Sequence, residues 1–310
     1  MPVEELVHLP EVERLSPAVI RILAGNPNKF TLQGTNTYLV GTGPKRLLVD
    51  TGQGIPSWKT NLAKTLAEEK ATISSAIITH WHGDHVGGIS HLLELCPSTK
   101  IYKNQLYNHP SINDDDAVPT PSQLDITDNQ TFSVQGATLR AVHSPGHTVD
   151  HMALVLEEED AMFTGDNVLG HGTAVFEDLA TYLDSLAKMA RMFKGRAYPG
   201  HGPVLDDGPA KIAEYIRHRQ KREDQVVQTL KGQHPGARES AATGTTTSSW
   251  TVMELVKVIY QDVPEPLHLP ASGGVLQILK KLQREGKVVK VDGGNDEEKW
   301  RLVVTARSVL

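Results

Sequence analysis

Ten residues, Thr79 to Gly88 (THWHGDHVGG), restrict this chain more than any other stretch. They place His80, His82, Asp84 and His85 directly after an apolar run, Ile73 to Thr79, that reads as a short buried strand. Side chains alternate along a strand, so His80 and His82 converge on one point. Asp84 and His85 fall on the turn beyond and reach a second point. Gly87-Gly88 allow a sharp turn into a following helix. Four such groups packed dry would each need a partner. Imidazole and carboxylate without a thiol are ligands for zinc, manganese and iron. Unless the run is a solvated histidine-rich loop, the fold must bring further ligands to it.

Elsewhere in the chain, a strand followed by glycine and a metal-competent side chain occurs three times. Thr138 to Val142 runs into Ser144-Pro145-Gly146-His147-Thr148. Met152 to Leu156 and Ala161 to Phe163 form a hairpin that stops at Thr164-Gly165-Asp166-Asn167. Arg196 to Tyr198 stops at Pro199-Gly200-His201-Gly202. Glycine lets the backbone turn where a bulkier residue would clash with a site. Assembled, these give His80, His82 and His147 for one metal, Asp84, His85 and His201 for another, and Asp166 as the bridge. That set exceeds the need of one tetrahedral ion and suits a pair about 3.5–4 Å apart, which lowers the pKa of a shared water from about 15.7 towards 7. Asp84 can also orient that water and shuttle its proton. Asp50 ends another strand, Arg46 to Asp50, before Thr51-Gly52. It either caps the next helix or supports a metal histidine from behind.

The rest of the chain frames this centre. Val19 to Leu23 and Thr37 to Val40 read as strands, and Trp58 to Glu69, Ile89 to Leu95, Glu177 to Phe193 and Gly208 to Leu230 as helices. Tyr107 to Leu124, with three prolines and Asp114 to Asp116, reads as a long surface loop. Cys96 alone excludes an internal disulfide framework and reads as a helix packing residue. The first residues lack an apolar leader, and no run approaches the roughly 18 apolar residues of a membrane span, so no membrane partner and a cytoplasmic location are expected. A net charge of -6 argues against a general nucleic-acid binder. Leu186 to Gly232 nevertheless carries ten Lys and Arg against five Asp and Glu, including Lys211, Arg217, Arg219, Lys221 and Arg222. The expected organisation is a catalytic domain over 1–232, a polar linker over 233–249, and a module over 250–310. In that module a helix from Thr251 to Tyr260, capped by Ser249, a second from Gly273 to Glu285, and a hairpin over Val288 to Val304 form a winged-helix-like unit.

THWHGDHVGG, SPGHT, TGDN and PGHG, in this order, resemble the metallo-β-lactamase superfamily over residues 17–230. The resemblance implies an α/β fold, an αββα sandwich with two divalent metal ions at the sheet edges. Zinc β-lactamases are less similar, commonly placing cysteine where this chain has Asp166 and lacking a match to His85. FTLQGTNTYLVGTG (Phe30 to Gly43) and the appended module resemble a β-lactamase-like group containing a mitochondrial endoribonuclease and fungal thioesterases that partner aromatic polyketide synthases. VDHMALVLEEEDAMFTGDNVLGHGTAVFEDL (Val149 to Leu179) and GRAYPGHGPV (Gly195 to Val204) are similar to the second branch, the atrochrysone-type carboxyl acyl-carrier-protein thioesterases. The 107–124 loop departs from the shorter members of that branch.

That branch implies release of an aromatic polyketide from the acyl carrier protein of a non-reducing synthase, by hydrolysis or Claisen-like cyclisation. The ligand set by itself favours zinc, and the resemblance admits manganese, since histidine with carboxylate suits both; the carrier protein with its tethered polyketide is the implied partner. The winged module would cover the site mouth or build a homodimer rather than bind nucleic acid. The alternatives are a single-strand endoribonuclease and a glyoxalase-like hydrolase of small thioesters.

Overall fold

Short β-branched and aliphatic runs, broken by glycine and proline turns, set the strands of two sheets. The computed structural model describes residues 6–105, 123–232, 248–292 and 298–303. The first sheet runs β1 (Val12–Arg14), β2 (Val19–Leu23), β3 (Asn36–Val40), β4 (Lys45–Val49), β5 (Thr72–Ile78) and β6 (Lys100–Lys103), paired in that order. Its first four strands are antiparallel, and β4, β5 and β6 are parallel. The second sheet comprises β7 (Thr131–Val134), β8 (Ala137–His143), β9 (Met152–Leu156), β10 (Ala161–Gly165) and β11 (Ala197–Pro199), ordered β11-β10-β9-β8-β7.

Alternation along the strands sorts two cores. Val19, Tyr38, Val40, Leu47, Val49 and Ile77 point inward to meet Leu139, Met152, Leu154, Phe163 and Tyr198 of the second sheet. Their neighbours Ile20, Ile22, Leu39, Leu48, Ala76 and Ile78 point outward to α1 (Pro56–Glu68) and α3 (Ile89–Leu95). Strands covered on both faces read as continuous apolar runs, and β2, β3, β9 and β10 are buried throughout. Burial of each large aliphatic side chain contributes roughly 1.5–3 kcal/mol. Trp58 seats α1 by donating from Nε1 to Thr37 Oγ1 at 2.8 Å. On the second sheet's side, α4 (Leu179–Met189) buries Leu179, Tyr182, Leu186 and Met189. These layers make an αββα sandwich. Cys96 packs against the outer core, as its sequence context indicated.

The chain separates into two compact units after Tyr215, inside α5 (Gly208–Lys231). The second contains the remainder of α5, α6 (Val252–Ile259), α7 (His268–Arg284) and the hairpin of β12 (Val288–Asp292) and β13 (Glu298–Leu302). Its core joins Leu255, Val275, Leu279, Leu282, Val288 and Trp300. Residues 106–122 and 233–247 are outside the described residues, and with them most of the expected long loop and linker.

Several sequence expectations change. Thr251, not Ser249, caps α6, in a capping box with Glu254. Helix α7 begins at His268 and runs through Gly273-Gly274, because Val275, Ile278, Leu279 and Leu282 bury one continuous stripe. Strands β1 and β7 were missed, one three residues long and the other with an exposed end at Thr131. Asp84 and His85 lie on a one-turn helix, α2 (Gly83–Val86), rather than on an open turn.

Candidate metal centre

Strand ends from both sheets meet at one edge and deliver all seven side chains singled out in the sequence. The first sheet supplies His80 and His82 just past β5, and Asp84 and His85 on α2. The second supplies His147 beyond β8, Asp166 beyond β10 and His201 beyond β11. Hydrogen bonds lock the two contributions together. Met152 N donates to Thr79 O at 2.8 Å, and Asn36 N donates to Gly200 O at 2.7 Å. Asn36 Nδ2 and Tyr38 Oη also donate to Pro199 O, at 2.9 and 2.6 Å, holding the turn that carries His201. Gly200 is required there, since a Cβ would sit 2.2 Å from Asp166 Oδ1.

The side chains form two groups whose candidate ligand atoms lie within 4.8 Å of one another: His80, His82, His147 and Asp166, then Asp84, His85 and His201. Asp166 spans both, with Oδ2 3.6 Å from His147 Nε2 and 3.2 Å from His201 Nε2, and Oδ1 3.5 Å from His85 Nε2. Asp84 Oδ2 lies 3.3 Å from Nε2 of both His85 and His201. The structure thus brings together the seven residues named from the sequence, with Asp166 grouped beside His80, His82 and His147.

The hydrogen-bond partners of this set fit cations at its centre. His147 Nδ1 donates to Val175 O at 2.8 Å, which leaves its Nε2 as a lone pair. Thr79 Oγ1 donates to the Asp50 carboxylate at 2.9 Å, so it accepts from His80 Nδ1 at 3.0 Å. His80 Nε2 is then a lone pair as well. Both face His82 Nδ1, at 3.1 and 2.8 Å, which has at most one hydrogen to share between them. His85 Nε2 and Asp166 Oδ1 are buried without a hydrogen-bond partner. Divalent cations between these atoms would resolve all of these conflicts at once.

Asp50 is the support common to both groups. It accepts from Thr79 N at 2.8 Å, from the Thr79 hydroxyl, and from His85 Nδ1 at 2.8 Å. It does not cap α1, whose N-cap is Ile55. Burial depresses His80 well below the usual imidazole range, and His82 is lowered to about 4, burial again leading. Burial would depress His85 too, but the Asp50 and Asp166 carboxylates outweigh it and hold the ring well above its ordinary value. Burial raises Asp166, yet His201 and His85 prevail and keep it ionised.

His151 escaped the sequence reading. It is fully buried with its ring centroid 5.4 Å from that of His80. Its Nε2 accepts from Asp166 N at 3.1 Å, so its Nδ1 donates to Ser144 Oγ at 2.9 Å. Both nitrogens are spent, which makes it a prop for the Asp166 turn rather than a ligand. Thr35 was missed likewise; its hydroxyl donates to Asp84 Oδ2 at 2.8 Å. A cavity of about 470 Å³ opens on the cluster, rimmed by Phe30, Leu32, Leu169 and Val175.

Two facing sheets flanked by helices, with histidines and aspartates at their shared edge able to hold a pair of divalent cations, define a metal-dependent αββα protein. The chain belongs to the metallo-beta-lactamase superfamily, whose family model matches residues 30–201, and a beta-lactamase associated winged helix domain matches 251–300. Among its relatives, an atrochrysone carboxyl ACP thioesterase of Aspergillus chevalieri is 47% identical over 299 residues, 95% of this chain and 90% of the relative. The lactamase-like protein vrtG of Penicillium aethiopicum is 44% identical, over 96% of this chain and 91% of its own. Among solved structures, a beta-lactamase domain protein from Burkholderia ambifaria superposes with a TM-score of 0.75 at 18% identity, covering 97% of this chain and 96% of that one. No helix among the described residues is long and apolar enough to cross a membrane.

Proposed function

We propose that the chain is a dimetal thioesterase that releases an aromatic polyketide from the acyl carrier protein of a separate non-reducing synthase. The observation that carries this is the similarity along nearly the whole chain to a carrier-protein thioesterase, joined to a complete His and Asp set opening on an apolar-rimmed cavity. In this reading His80, His82, His147 and Asp166 would hold one ion and Asp84, His85 and His201 the other, with Asp166 near enough to serve both. The donor set suits zinc, with manganese the alternative. When bound, such ions supply Lewis acidity that makes water nucleophilic at neutral pH and favours negative charge on a carbonyl oxygen.

The protein's own groups then position and deprotonate. Thr35 fixes Asp84 at Oδ2, so the Asp84 carboxylate is aimed into the cavity, where it orients the attacking water and takes its proton. A thioester needs little further help, because its departing thiol has a pKa of about 8.5. The same site can instead hold a β-dicarbonyl chain for Claisen-like closure, in which a substrate carbanion replaces water as nucleophile, bonds to the thioester carbonyl carbon and breaks its C–S bond, the carrier thiol departing. The ribonuclease alternative draws little from the basic stretch of α5. Lys211 is paired with Glu214 at 2.9 Å, and Arg222 stacks 4.2 Å from the centroid of Tyr260.

Incubation of the metal-loaded protein with a polyketide-loaded carrier protein is expected to liberate free product, detected by mass spectrometry. His80→Ala and Asp84→Ala should each abolish release with the circular dichroism spectrum retained. An intact carrier thioester alongside cleaved single-stranded RNA would reverse the assignment.

A further inference from the structure

Phe30 is 73% exposed and Val175 65%, and both line the cavity that the candidate ligands His82, Asp84, His147, Asp166 and His201 also line. One exposed apolar side chain is ordinary on a protein surface, but two at the mouth of a single polar centre require a reason. Neither is loosely held. Asn28 Oδ1 accepts from the amides of Phe30 at 2.7 Å and Thr31 at 3.2 Å, and a bridge joins Asn28 to Leu32. Leu32, which also lines the cavity, is held in the left-handed region at φ +56°. Such backbone strain persists only where surrounding structure enforces it.

Each lip is wired to a candidate ligand. The Val175 carbonyl holds the His147 ring. Beside Phe30, Thr31 Oγ1 donates to Asn26 O at 2.5 Å; Asn26 Oδ1 accepts from Thr35 N at 2.9 Å, and Thr35 in turn holds Asp84. Lys29 Nζ lies 5.8 Å from the Phe30 ring centroid, within cation–π range. A flat ring laid on Phe30 would extend that stack, and an acidic oxygen on it would meet the lysine. The apolar lips, the aromatic platform and the neighbouring cation together match a planar, oxygenated aromatic acyl group rather than a short aliphatic one.

We propose that Phe30 and Val175 select the acyl group, gripping a large planar aromatic one, with Lys29 taking an anionic oxygen on it; this rests on the thioesterase reading above. The probe is anthracene-2-carboxylate, titrated into the full-length, metal-loaded protein and followed by its fluorescence. Phe30→Ala and Val175→Ser should each weaken binding about tenfold or more, while Phe30→Tyr stays within about threefold of the wild type. Lys29→Met should weaken it by about threefold. Val12→Ala, exposed outside the cavity lining, should bind as the wild type does. Unchanged affinity in both Phe30→Ala and Val175→Ser, or no binding by the wild type at the probe's solubility limit, overturns the proposal. Thioester hydrolysis is assayed in the same preparations. Phe30-dependent binding with no thioester cleaved would uphold the lips and sink the thioesterase reading instead.

Discussion

Asp50 sits in the left-handed region at φ +59°, a conformation that aspartate and asparagine tolerate better than most residues. Its carboxylate fixes which nitrogen of His80 and of His85 is left to face the centre. Asp50→Asn keeps the backbone preference and the volume but replaces an acceptor oxygen by a donor, which faces the His85 Nδ1–H or the Thr79 hydroxyl. The expected result is a loss of about 10–100-fold in metal affinity, read by competition with a chromophoric chelator. Metal affinity equal to the wild type would mean that the ligands orient without it. His151 carries a related lesson. It stands four residues after His147 in the same SPGHTVDH stretch, and spacing alone does not reveal which of the two rings faces the cations. What separates them is the Asp166 amide, from a different strand, that occupies Nε2 of His151.

Among the elements, the loop between β8 and β9 is anchored by a buried ion pair. Lys103 Nζ, at the end of β6, lies 2.6 Å from Asp150 Oδ2, and Thr148 Oγ1 donates to Asp150 Oδ1 at 2.7 Å. Because this loop carries His147, the pair ties the site to the first sheet's edge. Lys103→Met should cost about 3–5 kcal/mol by leaving a buried carboxylate unpaired. Lys103→Met combined with Asp150→Asn should cost clearly less, since no charge is then stranded. A thermal melt of both variants decides it, and equal losses would show that packing rather than charge holds the loop. The strands β8, β10 and β11 were legible because each leads into a glycine turn beside a histidine or aspartate, and β5 because it runs directly into His80-Trp81-His82. β1 was not, because Val12–Arg14 is too short to show alternation. The start of α7 was hidden by Pro270 and by Gly273-Gly274, local helix opponents overridden by the buried stripe beyond them. Asp50 was readable as a strand-end carboxylate, but the choice between cap and support needed its partners in space.

For the molecule as a whole, the site makes stability depend on pH in the metal-free state. His80, His82 and His151 are depressed by burial, His82 to about 4, whereas an unfolded chain titrates near 6.5. The unfolded state therefore takes up protons that these folded groups refuse, and stability falls as pH drops through the window from about 6.5 to 4. His85, raised by Asp50 and Asp166, acts in the opposite sense: its contribution is complete below its unfolded value and is lost at higher pH. With three rings against one, the chelator-treated protein should melt progressively lower as pH falls from 7 to 4.5. Metal-loaded protein should be more stable at pH 7 and lose that advantage over the same range, because acid competes for the ligand nitrogens. Identical melting curves with and without chelator at pH 7 would count against cation binding. The origin of the ligands has one more consequence. Neither cluster is complete on either sheet: His80 and His82 need His147 and Asp166, as Asp84 and His85 need His201. Cations bound there would act as rivets between the halves, and two fragments severed between β6 and β7 should each be powerless to retain an ion, recovering that ability only when they find each other.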